Sequence, residues 1–381
     1  MTHELGLADK EAVLVVNAGS SSLKMELLPQ RIKVTIERVG SEVRNHADAF
    51  RLALSRLHGL AGDVRIVACG HRIVHGGEEF MEPVLIDEQV MAAVIRLGAL
   101  APLHNPPGVE GVRAAQQELP DVPHVAVFDT AFHATLPPHS YLTGLPWEYY
   151  ALRGIRNYGF HGTNHDYVTQ RAAGLLGRPR SELRMVSLHL GNGASAAAVS
   201  GGISVDTSMG FTPLAGLLMG TRTGDLDPGI ILHLLREGMD LPGLSELLNR
   251  QSGLKGLSGR TNDMRDLRQA ADAGDGRSRH AIDVYVHRIR KAIGAEAAAM
   301  DGIDAIVFTG GVGENDSIVR EEILRGMEWL GVRLDPELNR IGTGIITAED
   351  SAVAVIVVAA DEEGLIARQT VNVMNRAGAA W

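Results

Sequence analysis

The sequence predicts an α/β protein made of two similar domains, and three observations support this prediction. The chain has 381 residues, a length that favours two domains of ordinary size. Short apolar runs, typical of buried strands, alternate with longer stretches of helical periodicity, which indicates mostly parallel sheets. Finally, "VLVVNAGSSSLKMEL" and "MVSLHLGNGASAAAVSGG" both read as a strand, a tight turn and a second strand. We interpret them as equivalent hairpins of a duplicated domain, with two unrelated hairpins as the alternative.

Each predicted element follows from its own pattern. Strands are assigned to short apolar runs that end at glycine, aspartate or a polar turn, and helices to stretches where apolar residues recur every three or four positions. The predicted strands are 12–16, 65–70, 124–129, 184–190, 305–311 and 352–358. The predicted helices are 87–100, 164–176, 278–300 and 317–330.

Composition and charge argue against several classes of protein. The net charge of −10 disfavours nucleic acid and anionic membrane surfaces as partners, because both attract basic proteins. The single cysteine, Cys69, excludes an intrachain disulfide and suits a reducing compartment. It lies in an apolar run, so a buried thiol is favoured over a reactive one. The start "MTHELGLADKEA" lacks the apolar core of a signal peptide, and the longest apolar run, 352–360, is too short to span a membrane. These features predict a cytoplasmic protein.

Three glycine-rich turns that follow apolar strands predict nucleotide binding. The first, "NAGSSSLK" (17–24), is not a P-loop, because no glycine directly precedes Lys24 and a strand follows where a P-loop has a helix. Its hydroxyls, turn amides and the Lys24 ammonium could still hold phosphate, and Asn17 could contact Mg²⁺ directly or through water. The other turns are "HLGNG" (189–193) and "TGGVGEN" (309–315). For any one of them alone, an ordinary surface turn is the alternative.

Four residues outside these turns have side chains suited to phosphoryl transfer, namely Arg72, Asp129, His161 and Arg222. The arginine fork matches carboxylate and phosphoryl oxygens, and phosphoryl transfer needs charge neutralisation more than covalent catalysis. Taken by itself, Asp129 at the end of an apolar strand could instead cap a helix.

Two further patterns have competing interpretations. Histidines four apart, at 71/75 and 161/165, could bind zinc, but neither pair has the glutamate of an H-E-x-x-H motif, so a zinc site is disfavoured. Asp225 and Asp227 in "GDLDPG" could bind Mg²⁺ or form a turn before Pro228, and the turn is favoured.

Taken together, these motifs resemble those of the acetate kinase family. The segments that carry the resemblance, in order, are "VVNAGSSSLK", "GHRIVHGG", "APLHNPPG", "VFDTAFH", "YGFHGTNH", "HLGNGAS", "MGFTPLAGLLMGTRTGDLDPG", "FTGGVGEN" and "ADEEGLIAR". The resemblance implies two duplicated actin-like ATPase domains of the ribonuclease H-like type, with the active site in the cleft between them. It places the first domain at 1–132, with 365–381 packing back on it, and the second at 133–364.

The resemblance also implies roles for individual residues. Arg72, Asp129, His161 and Arg222 become the catalytic residues, with Arg72 also binding the substrate carboxylate. Val74, Leu103 and Pro213 form the apolar pocket for the acyl methyl group, and Asn17 and Glu362 are the metal contacts. The implied nucleotide contacts are Lys24, His189, Leu190, Gly191, Asn192, Gly193, Asp263, Met264, Arg265, Gly311, Val312, Gly313, Glu314 and Asn315.

The activity implied is reversible, in-line transfer of phosphate from ATP to acetate, giving acetyl phosphate and ADP. Mg²⁺ is the expected metal, with Mn²⁺ as a substitute, and a homodimer is expected, with no nucleic-acid or membrane partner. A carboxylate is already a nucleophile at neutral pH, so we expect Asp129 to orient Arg72 or a metal-bound water, although the family assigns it as an acid or base. The alternatives are a propionate or butyrate kinase of the same superfamily and, less favoured, an ATP-switched binding protein related to actin and Hsp70.

Overall fold

The chain forms two α/β units, which a computed structural model describes over residues 5–378. Unit 1 comprises the described residues of Met1–Ala134 and Asp361–Trp381, and unit 2 comprises Thr135–Ala360. The sequence places the first domain at 1–132, the second at 133–364 and the returning segment at 365–381. Residues 1–4 and 379–381 of these predictions lie outside the described part of the chain.

Each unit contains one sheet, and helices flank both. The strands are β1 Glu11–Ala18, β2 Ser22–Leu28, β3 Ile32–Glu37, β4 Arg65–Ile73, β5 Val84–Leu85, β6 His124–Phe128, β7 Arg184–Leu190, β8 Ala194–Ser200, β9 Ile203–Thr207, β10 Ala305–Thr309, β11 Gly344–Ile345 and β12 Ala354–Val357. Within residues 5–378 the α-helices are α1 His46–Ala61, α2 Glu88–Leu97, α3 Asn105–Glu118, α4 Pro138–Tyr141, α5 Trp147–Arg153, α6 Gly162–Leu176, α7 Pro228–Arg236, α8 Leu241–Arg250, α9 Gly253–Ser258, α10 Met264–Asp272, α11 Gly276–Ala299, α12 Gly310–Asn315, α13 Ser317–Leu324, α14 Pro336–Ile341 and α15 Glu362–Arg376. Short 3₁₀ turns lie at Ala131–Thr135, Arg180–Glu182 and Glu328–Leu330.

The two sheets have the same topology. The strand order is β3-β2-β1-β4-β6-β5 in unit 1 and, read in the same direction, β9-β8-β7-β10-β12-β11 in unit 2. In both, the first three strands of the unit form an antiparallel meander, the next two pairs are parallel, and the last strand pairs antiparallel at the edge. The hairpins β1–β2 and β7–β8 therefore occupy equivalent places. This confirms the prediction of two similar α/β domains.

The core of unit 1 covers both faces of its sheet. Leu14 and Val16 of β1 pack with Phe50 of helix α1 on one face. Val13 and Val15, which alternate with them, pack with Ile366 of helix α15 on the other. Successive residues of a strand point to opposite faces, so a strand covered on both sides must be apolar throughout. The run "AVLVV" meets this requirement, which is why it could be recognised in the sequence.

The core of unit 2 includes an equivalent layer on its own sheet. Val168 and Ala172 of helix α6 pack against Met185 of β7, Val307 of β10 and Ile356 of β12. Central strands of both units, such as β1 and β10, thus carry apolar runs, and residues singled out in the sequence lie at or just after their carboxyl ends.

Two predicted elements differ in the structure. The helix predicted at 317–330 ends at Leu324, because Gly326 adopts a positive φ of 75° that an α-helix does not allow. The segment 309–315, predicted as an open turn after a strand that extends to 311, is a strand end at Thr309 followed by the short helix α12. Glycine has low helix propensity, so the "GGVGEN" helix could not be recognised from composition.

No helix within residues 5–378 combines the length and the apolar character needed to cross a bilayer.

Candidate active site

In unit 1, Arg72 and Asp129 form a forked ion pair. Arg72 lies near the end of β4, and Asp129 directly follows the neighbouring parallel strand β6, so both side chains emerge at the same edge of the sheet. Arg72 Nε donates to Asp129 Oδ1 at 2.9 Å, and Nη2 donates to Oδ2. These bonds use two of the five N–H groups of the guanidinium, so N–H groups on Nη1 and Nη2 face away from Asp129. The pair fixes the orientation of Arg72.

Two oxygen-bearing side chains flank Arg72. Asn17 Oδ1 lies 3.4 Å from Arg72 Nη1, and a carboxylate oxygen of Glu362 lies 3.8 Å from Nε. Asn17 is near the end of β1, and Glu362 is the first residue of helix α15. Amide and carboxylate oxygens are the ligand types preferred by hard divalent cations such as Mg²⁺. The donor set beside Arg72 therefore fits the predicted metal contacts.

The Asp129 carboxyl has an unusual protonation equilibrium. Burial raises its pKa to about 6, Arg72 opposes the rise, and the neighbouring charge of Glu362 adds to it. Asp129 side-chain exposure is only 2%. We attribute the net rise to burial, and infer that near neutral pH the ionised form is maintained by its fork with Arg72.

The remaining predicted residues, Lys24 and those of the acyl pocket, differ in exposure and in location. Lys24 of β2 is exposed and pairs in register with Asn17 across the first hairpin. Val74 is half-buried, just after β4, whereas Leu103 is 48% exposed. The third residue assigned to the acyl pocket, the half-buried Pro213, belongs to unit 2. The three residues predicted to form the acyl pocket therefore belong to two different units.

In unit 2, His161 and Arg222 approach the same glycine of the second hairpin turn. A Cβ atom built on Gly193 would lie 3.4 Å from His161 Nε2 and 3.6 Å from Arg222 Nη1. Gly191 and Gly193 close this turn, with the Gly191 N–H donating to the Gly193 carbonyl at 3.0 Å. The absence of a side chain at Gly193 keeps space open between the two cationic or hydrogen-bonding groups.

His161 is held by a chain of polar side chains, of which the sequence singled out only His165, as a candidate zinc ligand. Its Nδ1 lies 2.9 Å from Ser195 Oγ, and His165 Nε2 lies 2.8 Å from the same oxygen. His165 Nδ1 in turn lies 2.8 Å from Ser187 Oγ. Ser195 follows the "GNG" turn by two residues, so only its position in the motif could have indicated this contact. His161 also stacks on His189, with ring centroids 4.3 Å apart.

Among the residues that the structure describes, Arg222 has no acidic partner. Its Nη1 donates to the Pro213 carbonyl at 3.0 Å, and no carboxylate within residues 5–378 forms an ion pair with it. Burial lowers the pKa of Arg222. A partly buried guanidinium without a counter-ion favours binding of an anion, because an anion offsets the cost of burying the charge.

A cavity of about 940 Å³ brings together most of the predicted nucleotide residues of unit 2. This volume lies in the range of small-molecule sites. Eight of its lining residues were predicted from the sequence, namely Gly191, Asn192, Asp263, Met264, Arg265, Gly311, Val312 and Asn315. Lining residues that the sequence analysis missed include Leu254, Asn262, Arg268, Gln269 and Ile318. They lie on or beside helices α9, α10 and α13, whose faces could not be assigned without the tertiary structure.

Five predicted nucleotide residues of unit 2 do not line this cavity: His189, Leu190, Gly193, Gly313 and Glu314. His189 Nδ1 lies 2.8 Å from Asn164 Nδ2. Glu314 Oε1 accepts the backbone N–H groups of Gly310 and Ala360, so its carboxylate is engaged in shaping the loop.

The aspartates of "GDLDPG" have structural roles, as favoured from the sequence. Asp227 caps helix α7 by accepting the Gly229 N–H at 2.8 Å, and Asp225 accepts the Gly216 N–H at 2.7 Å. These contacts support the turn interpretation over a Mg²⁺ site.

Comparisons with known proteins agree on one family. The family model described as the Acetokinase family matches residues 33–368. The chain is similar to the acetate kinase of Geobacillus sp. (strain WCH70), with 48% identity over 95% of this chain and 99% of that one. Among solved structures it is similar to Porphyromonas gingivalis acetate kinase, with a TM-score of 0.90, 41% identity and coverage of 96% and 100% of the two chains. It is also similar to a propionate kinase from Francisella tularensis, with a TM-score of 0.88, 38% identity and coverage of 95% and 99%.

Proposed function

We propose roles for the individual residues of this chain, which belongs to the Acetokinase family and is an acetate kinase, an enzyme that transfers phosphate from ATP to acetate. The family uses ATP and a divalent metal ion.

Unit 2 binds the nucleotide in its cavity of about 940 Å³. The glycines at 191 and 311 allow the backbone to approach a ligand closely, as phosphate-binding loops require. Leu254, Met264 and Ile318 add apolar surface for a nucleoside.

Arg222 and His161 stabilise the phosphoryl group during transfer. The observation that carries this assignment is that Arg222 lacks an acidic partner within the described residues and reaches the same open space at Gly193 as His161. Charge on the equatorial oxygens of the phosphoryl group must be neutralised in the transition state, and both side chains can donate hydrogen bonds to such oxygens. Ser195 and His165 position the His161 ring.

Unit 1 binds the carboxylate of acetate through Arg72. Asp129 holds Arg72 by Nε and Nη2, so N–H groups remain for a second carboxylate. One acetate oxygen attacks the γ-phosphorus in line, the bond from that phosphorus to the bridging oxygen of ADP breaks, and the electron pair leaves with ADP. No proton is transferred in this step. Asp129 is therefore a positioning residue and need not act as a base.

The donor set beside Arg72 fits Mg²⁺, the metal we assign, with Mn²⁺ as a substitute. Asn17 Oδ1 and the Glu362 carboxylate would hold the ion directly or through water. When bound, Mg²⁺ supplies positive charge against the phosphate oxygens of ATP. The exposed Lys24 ammonium adds a mobile positive charge for the same phosphates.

The test of this proposal is the Arg222→Ala variant, assayed for acyl hydroxamate formation with ATP, Mg²⁺ and acetate. We expect kcat to fall by about a thousandfold, the range seen for loss of a cationic transition-state stabiliser, while ADP affinity measured by calorimetry stays within about threefold. Arg250→Ala is the matched control, because Arg250 is exposed and forms an ion pair with Glu246 of the same helix. Near-normal kcat in Arg222→Ala would remove this residue from the mechanism.

Propionate is the second substrate to test, since a propionate kinase shares the fold at 38% identity. One methylene changes binding by only about 1–3 kcal/mol, so activity on both acids is compatible with a small apolar pocket. Parallel assays with acetate, propionate and butyrate give kcat/KM for each acid, and we expect the highest value for acetate. Val74, Leu103 and Pro213 are the residues proposed to line the acyl pocket.

The assembly we propose is a homodimer located in the cytoplasm. Large apolar side chains are exposed on unit 2, including Trp147, Leu152 and Leu241, as expected of a surface that a second copy covers. Light scattering of the purified chain should give twice 40.7 kDa; a mass of one chain would contradict the dimer. A cytoplasmic enzyme has access to the ATP that the reaction consumes.

A further inference from the structure

Three buried side chains outside the reaction site converge on one face of the unit 1 sheet. Cys69 and His71 are two residues apart on β4, so they point to the same side. His124 begins the neighbouring parallel strand β6, directly opposite Cys69 in the register. Their exposed fractions are 0%, 2% and 6%. The proposed mechanism uses none of the three.

The distances within this cluster suit a single small cation. One ligand atom from each residue (a cysteine sulfur and two imidazole nitrogens) lies within 4.8 Å of the other two. The closest pair is His71 Nε2 and His124 Nδ1, at 2.9 Å. Ligand bonds of about 2.0 Å to nitrogen and 2.3 Å to sulfur put two ligand atoms of one ion at most about 4.3 Å apart, so small side-chain adjustments would bring all three groups onto one ion.

The orientation of His124 is the second observation that favours a ligand. Its Nε2 lies 3.2 Å from the Leu119 carbonyl. A carbonyl oxygen only accepts hydrogen bonds, so Nε2 carries the hydrogen and the lone pair of Nδ1 faces His71. A backbone carbonyl that fixes the other ring nitrogen is the usual second-shell partner of a metal-binding histidine.

We propose that Cys69, His71 and His124 form a binding site for one thiophilic d¹⁰ cation, Zn²⁺ or Cu⁺. A thiolate with two imidazoles is a soft donor set that suits these ions and not Mg²⁺, which takes oxygen ligands. Binding forms one metal–sulfur and two metal–nitrogen bonds and releases the Cys69 thiol proton to solvent. The hydrogen on His71 Nε2 moves to its Nδ1, so both histidines stay neutral.

Without a bound cation, the two histidines of this cluster are already in the neutral form that binds a metal, whereas the Cys69 thiol is protonated. Burial lowers the pKa of both His71 and His124, and the neighbouring ring adds to the effect at His71, so the imidazoles are neutral at physiological pH. Burial raises the pKa of the Cys69 thiol, which the cation must overcome when it displaces the proton.

The site is separate from the proposed magnesium contacts. Arg72 follows His71 on the strand, so its side chain points to the opposite face. Cys69 packs in the apolar cluster on the side of helices α1 and α3. A bound cation would link β4 to β6 immediately before Arg72, so it should stabilise unit 1. The oxygen ligands proposed for Mg²⁺ would remain available.

The experiment measures metal content and ligand type in the full-length chain. The protein is produced in medium supplemented with Zn²⁺ and, separately, with Cu²⁺ under reducing conditions, and is then dialysed against excess Mg²⁺ to clear oxygen-ligand sites. We expect about one Zn²⁺ or Cu⁺ per chain and an X-ray absorption spectrum with one sulfur and two nitrogen neighbours. Cys69→Ala should lower retained metal at least tenfold, and metal-loaded protein should melt several degrees above metal-free protein.

Controls keep loss of folding separate from loss of a ligand. His58→Gln changes an exposed histidine of helix α1 and should retain the metal. Circular dichroism and Mg²⁺-dependent activity report whether Cys69→Ala is folded, and His124→Gln is a second ligand variant. Failure of the wild-type chain to retain either ion, a spectrum without sulfur, or equal retention in folded Cys69→Ala would each overturn the proposal. These outcomes do not bear on the kinase activity, which is measured with Mg²⁺ alone.

Discussion

Arg72 and Arg222 are the same residue type in opposite electrostatic settings. Arg72 is held in a fork by the buried carboxylate of Asp129, whereas Arg222 donates to a backbone carbonyl and faces no acid within the described residues. A paired arginine is fixed in direction and retains donors for one more anion, while an unpaired one gains most from binding an anion. This difference is the physical basis for assigning acetate to the first and the transferring phosphoryl group to the second.

The protonation of Asp129 predicts an acid limb in the pH profile. Because burial raises its pKa to about 6, the carboxylate is ionised above that pH and protonated below it. Protonation removes the charge that orients Arg72, so we expect kcat/KM for acetate to fall about tenfold per pH unit below pH 6. In Asp129→Asn, kcat/KM should be about a hundredfold lower and this limb should disappear.

The control for this profile is Asp87→Asn, which changes an exposed helix-capping aspartate of α2 and should keep the wild-type limb. If Asp129→Asn retained the same acid limb as the wild type, the titrating group would have to be another residue.

At the level of elements, the start of helix α12 depends on a close approach that only glycine permits. Gly310 has a φ of 78°, and a Cβ atom there would lie 2.9–3.0 Å from backbone atoms of Leu190. We expect Gly310→Ala to lower the free energy of unfolding by more than about 2 kcal/mol and to weaken ADP binding at least tenfold, because Gly191 and Gly311 lose their spacing. Urea unfolding and calorimetry measure the two effects.

Gly274→Ala separates backbone strain from the steric clash. Gly274 also has a positive φ, 94°, but nothing lies within 4 Å of the added methyl group. Gly274→Ala should lower the free energy of unfolding by only about 1 kcal/mol and leave ADP affinity unchanged. Equal behaviour of the two variants would mean that the contact between α12 and β7 does not shape the nucleotide site.

The start of helix α15 is held by a second arginine fork. Both Nη atoms of Arg31 donate to the Asp361 carboxylate at 2.6 Å, and Asp361 caps the helix by accepting the Gly364 N–H at 3.1 Å. The next residue is Glu362, the proposed metal contact. We expect Arg31→Ala to raise the Mg²⁺ concentration for half-maximal activity several-fold, because the helix end that presents Glu362 loosens.

Arg38→Ala is the matched control for Arg31→Ala. Arg38 flanks the same strand, β3, has the same φ of 58° and pairs with the exposed Glu42. The two substitutions therefore place alanine in the same backbone conformation and differ in the partners lost, which are Asp361 and Glu26 for Arg31 and Glu42 for Arg38. An identical Mg²⁺ dependence in both variants would exclude a positioning role for Arg31.

For the whole molecule, the assignment of the nucleotide to unit 2 predicts a localised response to ADP. Hydrogen exchange measured by mass spectrometry should slow in the segments that line its cavity, at 191–192, 262–272 and 311–318. Helix α1 of unit 1 serves as an internal reference and should exchange unchanged. Unaltered exchange in all three cavity segments at saturating ADP would contradict the assignment.

Much of this architecture could be predicted because it depends on local patterns. The central strands are apolar on both faces, so "AVLVV" and "AIVF" could be recognised without a structure, and the repeated hairpin indicated the duplication. The contacts of the site are different, because they join distant segments. Asp129 was expected to orient Arg72 or a metal-bound water only through the mechanism that the family resemblance implies, and no local pattern indicated that His161 contacts Ser195. The helical "GGVGEN" segment was missed because tertiary contacts outweighed its low helix propensity.

The discontinuity of unit 1 has a consequence for synthesis on the ribosome. Strands β1–β6 are synthesised before unit 2, but the face that carries Val13 and Val15 is covered by Ile366 and Val371 of helix α15, which are synthesised after unit 2. Unit 2 is continuous and is therefore complete in the nascent chain before unit 1 is. Unit 2, although synthesised after most of unit 1, can therefore finish folding first. A transcript broken before codon 361 yields a product whose unit 1 sheet has an exposed apolar face, the kind of surface that chaperones and proteases recognise.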